Sequence, residues 1–188
     1  MKYLFLLFSI MSSFASTELK VGDILLQPLH CYACNLIEAQ TKSEYSHVGV
    51  VISVEKRQFL IAEAFQKVRV VTFKEFTSKT QNNLKIEILR PYFVSADLYA
   101  NYLMSFHDKP YDSKFTWSDE GIYCSELIQK LFHQSNMLTP NPRAMLFDIN
   151  PEAWDRHFRG STPRGKLGIS PENFKESKLF EEIGFYED

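Results

Sequence analysis

Residues 46–54 read SHVGVVISV, the clearest strand signal in the chain. A short charged segment, Glu55-Lys56-Arg57, follows, and then a second apolar run, FLIAEAF, at residues 59–65. A β-branched run, a turn and an apolar run of similar length predict a hairpin. If it turns near Glu55, His47 stands directly opposite Glu63. Two further strand signals come close behind, at residues 68–73 and in the alternating LKIEIL of residues 84–89. An earlier short strand, Ile24-Leu25-Leu26-Gln27, follows Gly22-Asp23 and is ended by Pro28. Residues 32–41 carry Ala33, Leu36, Ile37 and Gln40 at helical spacing, and helices are also predicted over residues 95–107 and 122–134. In the loop-rich tail after Asn136, Asn150-Pro151-Glu152 and Ser170-Pro171-Glu172 each set a capping side chain before a proline at the first helical position. Clustered strands with helices beside them predict an α+β domain built on a small antiparallel sheet.

The chain has 188 residues, enough for one ordinary domain and too few for two well-cored ones. Its 21 Lys and Arg against 23 Asp and Glu leave no strong field for a phosphate backbone, so nucleic acid is not an expected partner. The first residues stand apart from the domain. Met1-Lys2 gives a positive start, residues 3–11 (YLFLLFSIM) are apolar apart from Ser9, and small residues at Ser13 and Ala15 suit cleavage after Ala15. Residues 1–15 are therefore expected to be a secretory signal peptide, and residues 16–188 a single domain. The run is too short to span a bilayer and no later segment is apolar enough, so the mature chain is expected to lack a transmembrane segment. It is expected to be exported, to a periplasm or outside the cell.

Export brings a disulfide-permissive compartment. The cysteines are Cys31 and Cys34, a C-x-x-C pair, and Cys124 alone. Leu127, Ile128 and Leu131 stand three, four and seven residues beyond Cys124, which puts it on the apolar stripe of its helix and in the first turn. Unpaired N–H groups and the helix dipole favour a thiolate there. His47 opens the 46–54 strand, and alternation sets it with Gly49 and Val51 on one face, Val48, Val50 and Ile52 on the other. A histidine at a strand end beside a glycine packs poorly but is well placed as a base. Glu63 lies inside an apolar run, where a carboxylate is costly unless paired; Lys67 or Arg69 would satisfy it structurally. Together Cys124, His47 and Glu63 make a nucleophile, a base and an orienting acid. The Cys124 N–H is a natural oxyanion donor, and Tyr45 or Tyr123 offers a second through its hydroxyl. Tyr111, Phe115 and Trp117 are placed to line a cleft, with Asp112 and Asp119 as candidate anchors for a substrate amine or as solvated loop acids.

Gly22-Asp23-Ile24-Leu25, Tyr45-Ser46-His47-Val48-Gly49, Glu63-Ala64 and Tyr123-Cys124-Ser125-Glu126-Leu127, in that order, resemble the circularly permuted papain-like hydrolases of the NlpC superfamily. The branch they are most similar to is the YiiX/YebB-like proteins. The tail is similar too, in Trp154, Gly165-Lys166-Leu167-Gly168-Ile169 and Ser170-Pro171-Glu172. The resemblance implies a permuted papain-like fold, with the Cys-bearing helix packed on a small antiparallel sheet that carries His47 and Glu63. It implies a cysteine hydrolase that cleaves an amide of a peptide or amino acid, wall-derived substrates among them, through a thioester and without a cofactor. A small peptide or acyl group is the expected substrate. The alternatives are a lipid acyl hydrolase or acyltransferase on the same site, and a non-catalytic module that binds wall peptides or lipid. Cys31 and Cys34 read as a structural disulfide or inert thiols before a redox pair, since the βαβ context of thiol–disulfide oxidoreductases is missing. A metal reading of His30, Cys31 and Cys34 lacks a fourth ligand, so no metal is expected.

Overall fold

The computed structural model describes residues 18–56, 58–81 and 84–186; the predicted signal peptide, residues 1–15, lies outside them. In chain order the elements are β1 (Ile24–Gln27), α1 (Tyr32–Thr41), β2 (His47–Glu55), β3 (Gln58–Phe65), β4 (Lys67–Thr72), α2 (Phe73–Thr77), β5 (Glu87–Pro91), α3 (Leu98–Ser105), α4 (Cys124–Gln134), β6 (Arg143–Ala144), α5 (Pro151–His157), β7 (Leu167–Gly168), α6 (Pro171–Glu176) and β8 (Phe180–Phe185). Six strands form one antiparallel sheet in the order β4-β3-β2-β1-β5-β8, and β6 pairs with β7 in a separate ribbon. The fold is the α+β arrangement expected, with α4 packed across β2 and β3.

The strand alternation sorts the core into two layers. Val48, Val50, Ile52, Ala62 and Ala64 share one core with Leu127, Ile128 and Leu131 of α4. Val51, Ile61, Leu25 and Ile88 face the other way, into a smaller core with Phe76 of α2. At roughly 25 cal/mol per Å² of apolar surface removed from water, burying both faces is what makes so short a sheet worth forming.

The register departs from expectation. Glu55 pairs with Gln58, and a bulge between Val51 and Ser53 shifts the ladder. Glu63 therefore lies opposite Gly49 and not His47. Continued unbroken from the turn, the ladder would set Glu63 opposite Val50, on the α4 face. The extra residue at the bulge restores Glu63 to the face of His47, Gly49 and Val51. His47 and Glu63 are thus diagonal neighbours, within reach of long side chains.

Other boundaries move for local reasons. The strand predicted to Phe73 stops at Thr72, whose hydroxyl accepts the Glu75 N–H at 3.2 Å and caps α2. The helix predicted from Ile122 begins at Cys124, because Tyr123 is extended. α5 and α6 start at the predicted prolines. Ser170 donates its N–H to Asn173 Oδ1 at 3.0 Å, whereas Asn150 is left-handed (φ 55°) and its side chain makes no cap bond. β8 was not expected at all.

Candidate active site

Cys124 is the first residue of α4, so its N–H has no partner within the helix. The extended Tyr123 before it donates its own N–H to Glu126 Oε2 at 3.3 Å, which fixes the helix entry. His47 is the first residue of β2, paired with Gln27 of β1. Its Nε2 lies 2.8 Å from Glu63 Oε2, and the Cys124 side chain is near enough to the ring to raise its pKa. With Nε2 engaged by the carboxylate, Nδ1 is the nitrogen left for the thiol. Phe76 stacks on the ring at 5.7 Å and Phe65 meets it edge-on at 5.9 Å. Gly49 makes room for this packing: a Cβ there would stand 2.7 Å from both Ile61 and Phe76.

Glu63 is 0% exposed and fully partnered. While Oε2 holds His47, Oε1 accepts from Arg69 Nε at 3.0 Å, Arg69 Nη2 at 2.8 Å and Lys79 Nζ at 2.8 Å. Arg69 is its cross-strand neighbour on β4. Lys79, just beyond α2, is a partner that sequence reasoning missed; Lys67 pairs instead with Asp108. Burial opposes ionisation of Glu63, but the His47 and Lys79 contacts outweigh it and hold the carboxyl down at about 2. Burial likewise opposes charge on His47, and the hydrogen bonds and charges of Cys124 and Glu63 push the ring up to about 9.

A cavity of about 430 Å³ opens on Cys124. Tyr111, Phe115 and Tyr123 line it near the sulfur, and Ile37, Met145, Phe147 and Trp154 line its apolar wall. The tyrosines differ in what their hydroxyls do. Tyr45 donates to Glu87, which also holds Lys175, and does not reach the cavity. Tyr123 accepts the Ile169 N–H at 3.0 Å. The Tyr111 hydroxyl has no hydrogen-bond partner among the described residues, and burial raises its pKa well above the usual phenol value, so it stays a donor. Asp112 accepts from Lys114 N, Thr116 N and Thr116 Oγ1 and organises its own turn, so it is no amine anchor. Asp119 is exposed and paired with Lys130 at 2.8 Å. Trp117 packs against Tyr123 and beneath Lys130 without lining the cavity.

Cys31 and Cys34 are disulfide-bonded at the start of α1 and do not line the cavity. Among the described residues no cluster of three or more His, Cys, Asp or Glu side chains is spaced to hold a metal ion. The Glu63 carboxylate already carries two cationic side chains, which is a poor surrounding for another cation.

The fold has a solved counterpart. The crystal structure of YiiX from Escherichia coli O157:H7, described as a metalloprotein, superposes with a TM-score of 0.77 at 20% identity, covering 88% of this chain and 97% of that one. In sequence, YiiX of Escherichia coli (strain K12), itself uncharacterized, is 25% identical over 126 residues. That match takes in 62% of this chain and 58% of the relative's length. Residues 18–183 match the family described as permuted papain-like amidase enzyme, YaeF/YiiX, C92 family, and the chain belongs to that family.

Proposed function

We propose that this chain is a cysteine amidase in which Cys124 is the nucleophile, His47 the acid and base, and Glu63 the carboxylate that orients the ring. The observation that carries the reading is the meeting of three remote segments: His47 Nε2 lies 2.8 Å from Glu63 Oε2, and the His47 ring interacts with Cys124, which lines the cavity. The sulfur attacks the amide carbon and forms a C–S bond. The oxyanion is met by the Cys124 N–H and the Tyr111 hydroxyl. The C–N bond breaks as His47 gives its proton to the departing amine. Water, deprotonated by the now neutral ring, then attacks the thioester; the acid leaves and the thiol is restored. We further propose that the protein is exported, since the apolar N-terminal run and the Cys31–Cys34 disulfide both suit an oxidising compartment. The apolar wall gives a second reading some support, a lipid acyl hydrolase or acyltransferase on the same thiol.

Iodoacetamide is expected to alkylate Cys124 at neutral pH much faster than it alkylates a cysteine in an unstructured peptide, and His47→Gln to slow that reaction. Cys124→Ala should abolish turnover of a panel of peptide and N-acyl amino-acid amides while leaving the thermal melt nearly in place. Labelling no faster than the peptide's, or turnover that survives Cys124→Ala, refutes the assignment.

A further inference from the structure

Two charged side chains line the cavity, and they hold each other. Arg143 of β6 donates from Nη2 to Glu176 Oε2 at 2.6 Å, and Asn173 Nδ2 reaches the same oxygen at 3.2 Å. The Arg143 and Glu176 side chains are 63% and 49% exposed, so the pair is solvent-screened and easily exchanged. Its place is not arbitrary. Arg143 pairs with Gly168 of β7, and the next residue, Ile169, is pinned from both sides of the thiol. Tyr123 accepts its N–H at 3.0 Å and Ser125 donates to its carbonyl at 2.8 Å. From Arg143 the chain runs on through Met145 to Phe147 along the apolar wall. Gly168 permits this, because a Cβ there would collide with Met145. One wall of the cavity is therefore charged at one end and apolar at the other, with Cys124 beside it.

We propose that Arg143 anchors a free carboxylate of the substrate, so that the site removes a hydrophobic acyl group from an amino acid or short peptide whose own carboxylate is free. This rests on the thiol reading above. The guanidinium fork matches a carboxylate in two parallel hydrogen bonds, and the incoming anion replaces Glu176, which stays solvated. The acyl chain takes the wall of Ile37, Met145, Phe147 and Trp154. Attack by sulfur breaks the amide C–N bond, His47 protonates the nitrogen, and the amino acid departs with its carboxylate intact. Water then releases the fatty or aromatic acid from the thioester.

Calorimetric titration of Cys124→Ala with N-octanoyl-alanine and with its C-terminal carboxamide tests the anchor without turnover. The acid is expected to bind about 10- to 100-fold tighter than the carboxamide. Arg143→Gln in the same background should bring the acid to the carboxamide's level, and Arg143→Lys should keep part of the difference. Glu176→Gln frees the guanidinium and should tighten the acid by about two- to fivefold, where a merely structural ion pair would give weaker binding or none. Equal binding of acid and carboxamide, a preference that survives Arg143→Gln, or no binding of either probe at millimolar concentration overturns the proposal. Turnover of both probes by the protein with its thiol intact separates the two readings. Cleavage without carboxylate preference removes the anchor and spares the thiol; carboxylate-selective binding without cleavage does the reverse.

Discussion

His47 is 3% exposed, and its charge depends on whether its two neighbours outweigh the loss of water. They do, lifting the ring from 6.5 to about 9. A raised value means that the proton is bound throughout the neutral range and lost as pH climbs through about 9. That proton is the one the departing amine needs, so kcat/KM should fall above about pH 9 in a pH–rate profile; a profile still flat at about pH 10 would remove His47 as the donor. Glu63→Gln keeps the shape and deletes the anion, leaving Lys79 without its partner and Arg69 with Glu75 alone. The alkaline limb should move down by about a unit or more, and urea denaturation should show a loss of about 3 kcal/mol. Lys79→Met has the opposite sign on the limb, since one fewer cation favours the imidazolium. Cys124, His47 and Glu63 were legible in the sequence because each is out of place locally: a thiol where a polar loop meets an apolar helix stripe, a histidine beside a glycine, an acid inside an apolar strand. Lys79 was not legible. It lies beyond a five-residue helix too short to show periodicity, and only the fold returns it to Glu63.

The Cys helix and the Gly168–Ser170 segment are joined side chain to backbone, through Tyr123 and Ser125, and not by a strand ladder. Both contacts are buried, so each lost partner leaves a backbone group unsatisfied. Ser125→Ala is expected to cost about 1–2 kcal/mol and to raise KM through the loosened cavity wall, while Cys124 still alkylates. Unchanged KM would show that the wall is held by packing alone. On the opposite face, Gly49→Ala forces a methyl against Ile61 and the Phe76 ring that stacks on His47. Overpacking there should cost about 1–3 kcal/mol by thermal melt and slow turnover more than substrate binding. The elements themselves were largely readable: the bounds of β1 and α1 match the sequence reading, β2 is shifted by one residue at both ends, and β3 starts one residue earlier. The bulge was not readable, because nothing in Val51-Ile52-Ser53 marks which residue lacks a partner, yet it decides the face on which Glu63 emerges.

At the scale of the whole molecule, the sheet is extended by its last strand. β8 pairs with β5 at the far edge from β4, and Phe180 at its start is buried against Phe132 of α4 and Phe174 of α6. Phe180-Glu181-Glu182-Ile183-Gly184-Phe185 gives little strand signal, with adjacent acids and a glycine. Its place comes from an open edge on β5 and an aromatic seat on α4, neither of which a local window contains. The last strand therefore braces the Cys helix through Phe132. Phe180→Ala should remove about 3 kcal/mol, or about 6–12 °C of Tm for a chain of this length. It touches neither His47 nor Glu63 in any ring or hydrogen-bond contact, so below the lowered melt the alkaline limb should remain near pH 9. A limb that moved with Phe180→Ala would mean that the thiol–imidazole contact depends on the tilt of α4 as a whole, and that the site is tuned by the sheet's far edge and not only by the residues that meet at Cys124.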